Sequence, residues 1–323
     1  MTSNGPINRS SPAPIGKIAF LGIGLMGAPM ARNLMAGGLK VTAWNRDRAK
    51  AAALAAQGAS LAPSPAAASQ GADAVITMLA NGPAVEAVMF GDQGAASSLG
   101  AGALVIDMSS SPPELARDHA KRLAKLRIDY LDAPVSGGTL GAAEGKLAIM
   151  AGGDARAFER AQPIFAKLGT PTLVGPTGSG QLAKLCNQAI VAVTIGAVAE
   201  ALLLAAAGGA DPAAVRQAIM GGFAQSRVLT LHGNRMILRD FIPGGPADHQ
   251  LKDCATIVEA AKAAKLSLPF AETALGLYRD LVAQGGGRYD HSALLLELER
   301  RNAPARVGKA ADKLPAARST ATG

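Results

Sequence analysis

Lys17-Ile18-Ala19-Phe20-Leu21-Gly22-Ile23-Gly24-Leu25-Met26-Gly27 is a short apolar run that passes straight into three glycines spaced G-x-G-x-x-G. After a strand and before a helix, this spacing reads as a turn that receives a dinucleotide. Gly22 permits the tight turn, Gly24 lets the backbone approach a pyrophosphate, and Gly27 allows close helix packing. Leu25 and Met26 lie between these glycines and complete the phosphate-facing loop. The helix that follows, over about 27–37, offers free amides and a favourable dipole to the phosphates.

A second strand over 40–44 ends at Asn45-Arg46, where the nature of the cofactor is written. An acid about 20 residues past the glycines would take the ribose hydroxyls of NAD, whereas an arginine can receive the 2′-phosphate of NADP. Asn45 is uncharged and Arg46 is cationic, while Asp47 and Arg48 lie one step further on. NADP is therefore favoured over NAD.

Working outward, helix and strand patterns alternate. Helices are predicted near 48–57, after Pro83, over 113–126 and near 155–168, with strands at 74–78, 103–108, 129–132, 147–151 and 172–174. This alternation predicts an α/β domain with a doubly wound parallel sheet of the Rossmann type. From Gln181 the pattern becomes purely helical. A long apolar helix ends near Gly208-Gly209, Asp211-Pro212 caps the next, and others follow at 227–238, 251–264, 269–284 and 292–300. The expected organisation is a disordered tail (1–16), a dinucleotide-binding domain (17–180), an all-helical substrate and dimerisation domain (181–302) and a disordered basic tail (303–323). A length of 323 residues suits two cores.

The net charge of +8 is mostly an end effect, since residues 1–17 carry +2 and residues 301–323 carry +4. No nucleic-acid patch is indicated. Cys186 and Cys254 have no metal or disulfide spacing and read as filler in a reducing compartment. His119, His232, His249 and His291 are scattered, so no metal site is expected. Residues 1–16 lack an apolar signal core. The apolar stretch Ile190–Ala207 contains Glu200 and reads as a buried core helix. A cytoplasmic protein without a membrane partner is expected.

Further strand ends converge on the nucleotide turn. Met78-Leu79 precedes Asn81-Gly82-Pro83, and Ser109-Ser110 follows Asp107-Met108. Short hydroxyls at such ends can touch ribose or nicotinamide, and they also cap helices. Ser136-Gly137-Gly138 exposes consecutive backbone amides that can hold a small carboxylate. Gly178 to Gln188 then opens the long helix, with Lys184 and Asn187 three residues apart and so on one face.

These segments, with Lys252-Asp253 in a later helix, resemble the β-hydroxyacid dehydrogenase family over residues 17–300. The resemblance implies reversible hydride transfer between NAD(P) and a small β-hydroxyacid or semialdehyde. Lys184 would be the general acid and base, a role open to a lysine whose surroundings lower its pKa. Asn187, Ser136, Gly137 and Gly138 would bind substrate. Lys252 would hold the nicotinamide end, beside cofactor contacts from Met78, Leu79 and Ser110. Met220–Arg227, Gly285–Gly287 and Asp290–Ala293 look like the branch that reduces 2-hydroxy-3-oxopropionate, and polar Asp290-His291-Ser292 favours a hydroxylated substrate. Other readings are dehydrogenation of 3-hydroxyisobutyrate or a threonate-like acid, or a non-catalytic dinucleotide-binding scaffold. Scaffold relatives lose the lysine, and imine reductases generally replace it. Two departures stand out: Lys146 where relatives commonly carry threonine, and Asn45 where they carry an acid. The apolar helix predicts a homodimer or homotetramer.

Overall fold

The computed structural model describes residues 15–316, which divide into two compact units between Lys184 and Leu185. The first unit begins with β1 (Lys17–Leu21), α1 (Gly27–Ala36), β2 (Lys40–Trp44), α2 (Arg48–Ala55), β3 (Ser60–Leu61) and α3 (Pro65–Ser69). It continues with β4 (Ala74–Thr77), α4 (Gly82–Phe90), β5 (Leu104–Asp107), α5 (Pro113–Lys125) and β6 (Asp129–Asp132). These strands pair in parallel in the order β3-β2-β1-β4-β5-β6. That is the doubly wound order, with β1 beside the strand-order reversal.

Alternation within each strand feeds two cores. Ile18, Phe20, Ile76 and Ile106 pack on one face of the sheet. Ala19, Leu21, Val75 and Val105 pack on the other. Both faces are covered, which is why these strands read as continuous apolar runs.

The sheet is not wholly parallel. It continues through β7 (Val135–Ser136), α6 (Gly138–Glu144), β8 (Leu147–Gly153), α7 (Ala155–Leu168) and β9 (Gly169–Gly175). β8 runs antiparallel to β6 and β7 and parallel to β9. The short link through α6 reverses the chain, whereas a parallel return needs a crossover of about a dozen residues or more.

The second unit is helical. It contains most of α8 (Ser179–Ala207), then α9 (Pro212–Ile219), α10 (Arg227–Leu238), α11 (Ala247–Ala263), α12 (Pro269–Ala283) and α13 (Leu294–Arg301). Asp211 caps α9 by accepting from the Ala213 amide, and Ser226 caps α10 by accepting from that of Leu229. α8 is long and apolar enough to cross a membrane by composition. Within the unit, Ala192, Ile195, Ala199 and Leu202 form its buried stripe against Met236, Tyr278 and Leu294. Ile190 and Leu204 remain 67% and 74% exposed, so only part of its apolar surface is core.

Two tail expectations are corrected. Ile15 is buried and the Gly16 amide donates to Asp73, so order begins before residue 17. Residues 303–316 are docked on the helical unit through Arg239, which is fully buried. Its guanidinium donates to both Glu299 oxygens at 2.8 Å, to the Val307 carbonyl at 2.8 Å and to Asp312. Val307 is itself buried, and Phe241 and Lys313 are joined through their backbones. The remaining tail residues, 1–14 and 317–323, lie outside the described ones.

Candidate active site

The first unit carries the predicted nucleotide turn. Gly22 has φ +111°, and a Cβ there would stand 2.3 Å from the Met78 carbonyl, so β1 leaves its strand hard against the end of β4. A side chain at Gly24 would meet nothing within 4 Å. No side chain caps α1, and no acid occupies its first turn. This end of α1 therefore suits an anionic pyrophosphate.

Asn45, half-buried at the end of β2, also braces the turn. Its Oδ1 accepts from the Ile23 amide at 2.9 Å and its Nδ2 donates to the Asp47 carbonyl at 2.9 Å. Asp47 caps α2. Arg46 is exposed just past the end of β2; in the glycine turn Leu25 is exposed and Met26 half-buried. Met78 and Leu79 are half-buried at the end of β4.

The serines after β5 divide their work. Ser109 is buried: its Oγ accepts from the Leu79 amide at 3.0 Å and its own amide donates to Asp107 at 2.9 Å. Thr77 also donates to Asp107, whose carboxyl is pushed up by burial against these lowering bonds. Ser110 stays half-buried at the loop crest. Ser136 and Gly137 are half-buried and Gly138 exposed, with φ +143° and +65° at the two glycines. Lys146 lies on the surface, 3.2 Å from Glu144.

The start of α8 is clamped to the strand ends. Buried Asp132 accepts from the Gly178 amide at 2.7 Å and the Gln181 amide at 2.9 Å. Burial pushes its carboxyl up to about 6 against the lowering effect of those amides. Gly180 must be glycine, because a Cβ would stand 2.3 Å from the Asp132 carbonyl and 2.4 Å from that of Met150. Lys184 follows one turn later and is half-buried. α8 is unbroken across Lys184 and Asn187, so their three-residue spacing keeps them on one helix face.

In the second unit, a polar chain surrounds Asn187. Its Nδ2 donates to Gln188 Oε1 at 2.9 Å, and Gln188 Nε2 donates to Asp253 at 2.6 Å. Asp253 also lies 3.1 Å from Lys252 Nζ. A carboxylate only accepts, so Asp253 fixes the direction of both amides. Asp132, Gln181 and Asp253 were missed as site supports. Their residue types fit many roles, and only partners distant in sequence reveal this one.

The histidines are not all scattered. His232, Asp290 and His291 bring possible ligand atoms within 4.8 Å of one another. His232 Nε2 lies 3.2 Å from His291 Nε2, and His291 Nδ1 lies 3.3 Å from Gln250 Oε1. Asp290 accepts from the Gly244, Gly245 and Ser292 amides and from the Ser292 hydroxyl, so its oxygens are already engaged. Asp290 and Ser292 are fully buried, and His291 between them is half-buried. Burial would raise the Asp290 carboxyl, but His232, His291 and Ser292 outweigh it and hold it below the usual range.

Burial, then His232, lower the His291 imidazole from 6.5 to about 4. The unfolded chain then takes up this proton first, so the stability is complete above pH 6.5 and is lost as pH falls towards 4. Acidification across that window should cost the helical unit about 3 kcal/mol through this group. Thermal melts of the native protein and His291→Gln against pH check it. Parallel pH slopes would remove the assignment.

Comparisons with known proteins agree with this architecture. Residues 17–178 match the NAD-binding domain of 6-phosphogluconate dehydrogenase, and residues 178–298 match the NAD-binding domain of NADP-dependent 3-hydroxyisobutyrate dehydrogenase. The chain is 45% identical over 286 residues to 2-hydroxy-3-oxopropionate reductase of Escherichia coli (strain K12), covering 88% of this chain and 97% of that protein. It is 37% identical over 286 residues to NAD-dependent L-serine dehydrogenase of Pseudomonas aeruginosa, covering 86% and 96%. The structure of Mycobacterium tuberculosis 3-hydroxyisobutyrate dehydrogenase with L-serine superposes with a TM-score of 0.79 at 31% identity, covering 88% and 99%. With its dinucleotide turn, its helical second unit and these matches along both, the chain belongs to the NAD(P)-binding β-hydroxyacid dehydrogenase family, oxidoreductases that act on CH–OH groups.

Proposed function

We propose that the protein reduces 2-hydroxy-3-oxopropionate (tartronate semialdehyde) reversibly to glycerate, with NADPH preferred to NADH. The observation that carries this reading is the 45% identity to a 2-hydroxy-3-oxopropionate reductase along nearly its whole length. The uncapped start of α1, the open side of Gly24 and exposed Arg46 fit a dinucleotide bearing a 2′-phosphate. When bound, the reduced nicotinamide supplies the hydride.

Lys184 gives its proton to the aldehyde oxygen and stabilises the developing alkoxide; in oxidation it takes the hydroxyl proton. Ser136, Gly137 and Gly138 hold the substrate carboxylate, and Asn187 binds the substrate beside Lys184. Gly22, Gly24, Leu25, Met26, Gly27, Arg46, Met78, Leu79, Ser110 and Lys252 hold the cofactor, and Asn45 shapes its turn. The exposed apolar surface of α8 supports a homodimer or homotetramer, and we place the protein in the cytoplasm.

Steady-state kinetics test the substrate. Tartronate semialdehyde should give a higher kcat/KM than succinic semialdehyde, glyoxylate, 3-hydroxyisobutyrate or L-serine. Preference for 3-hydroxyisobutyrate or L-serine would replace the assignment with that of the other relatives. For the cofactor, Arg46→Ala is expected to raise the KM for NADPH about tenfold, the loss of one charged phosphate contact, and to leave NADH nearly unchanged. Equal effects on both would remove the NADP preference.

A further inference from the structure

Gln181 stands one helical turn before Lys184 and is 1% exposed. Its backbone amide donates to Asp132, but its side chain reaches a different strand end. Oε1 accepts from the Ser111 amide at 3.0 Å, and Nε2 donates to the Ser109 carbonyl at 2.8 Å. The two bonds flank Ser110, the half-buried residue at the crest of the loop. Ser109 is held in turn by Leu79 and Asp107, so a continuous bonded network runs from the end of β4, through the serine loop, to the first turn of α8.

We propose that Gln181 is the positioning residue that sets Lys184 in register with the cofactor-facing serine loop. The inference rests on the proposed roles of Lys184 and Ser110. A primary amide is the group this place requires, since it both accepts from one backbone N–H and donates to a neighbouring C=O. A hydrocarbon of similar size offers neither bond and leaves both buried backbone groups without their partner. A carboxylate can accept from Ser111 but opposes the Ser109 carbonyl unless it carries a proton. The serine loop keeps its ties to Leu79 and Asp107 without Gln181, whereas the mouth of α8 loses the two side-chain bonds that tie it to that loop. The defect should therefore fall on the placement of Lys184 more than on cofactor affinity.

Gln181→Leu is expected to lower kcat by roughly 10- to 100-fold, the scale of an ångström-level misplacement of a reacting group. The KM for NADPH should change less than about threefold, because the serine loop keeps its ties to Leu79 and Asp107. Gln181→Glu supplies a second, independent reading. Facing the Ser109 carbonyl, with Asp132 on the backbone amide of the same residue, its carboxyl should act as an amide mimic only when protonated. Activity relative to the native protein should then recover as pH falls, with no matching change in folded fraction by circular dichroism.

Lys184→Ala is the reference. Normal turnover in that variant overturns the reading of Lys184 itself. An inactive Lys184→Ala beside a folded Gln181→Leu with kcat within twofold of native overturns this inference alone. If Gln181→Leu does not fold, Gln181→Glu decides: a relative pH profile that is flat, or that merely follows the folded fraction, overturns the proposal.

Discussion

Lys184→Ala is expected to reduce kcat by roughly 10³-fold or more, within the range that positioned acid–base groups contribute. In the proposed reaction the Lys184 ammonium acts on the substrate oxygen, whereas Gly22–Gly27 and Arg46 lie elsewhere in the first unit. The dissociation constant for NADPH, followed by nucleotide fluorescence, should therefore stay within about threefold of native. Alanine also removes a charge near a developing alkoxide, so the loss should appear in kcat rather than KM. Added small primary amines should restore part of the rate. Turnover within tenfold of native would remove Lys184 from the chemistry, whatever its place on α8.

Arg239→Ala should produce the largest loss of stability, about 3–5 kcal/mol, because it leaves a buried carboxylate unpaired. Glu299 is 8% exposed and receives two guanidinium bonds. Its remaining donor, the Val307 amide at 2.7 Å, sits on the segment that Arg239 also holds. The substitution should therefore weaken the second unit and free residues 303–316 together. Denaturant unfolding and limited proteolysis measure the two effects. Arg239→Met combined with Glu299→Leu should recover most of the loss, since paired buried charges contribute little net stability over an apolar pair. A single-variant loss below 1 kcal/mol with 303–316 still protected would refute the anchor.

The contrast between these residues shows what was legible in the chain. Lys184 stood out because it shares a helix face with Asn187 and follows the glycine turn and the serine–glycine loop in the order that the family resemblance requires. Arg239 carried no such mark, and residues 303–323 read as a disordered tail because basic and small residues without apolar periodicity predict disorder. The deciding partners, Glu299, Val307 and Asp312, are met only after the chain folds back. His232 and His291 failed to read as neighbours for the same reason. Asn45 was legible as a departure, but not as a brace, because its bond to Ile23 crosses from one strand end to another.

The sequence by itself determined the alternation of strand and helix, the helical second half, the phosphate-facing turn and the spacing of Lys184 and Asn187. Each depends on local periodicity or on glycines needed within a few residues of one another. Only the tertiary structure decided that β8 reverses the sheet, that Asp132 and Gln181 clamp the start of α8, that Asp253 orients the amides beside Asn187, and that the C-terminal segment is locked by a buried guanidinium. In these cases the energy comes from pairing polar groups far apart in sequence inside a low-dielectric interior, where an unpaired partner is costly. No residue pattern along the chain reports who that partner will be.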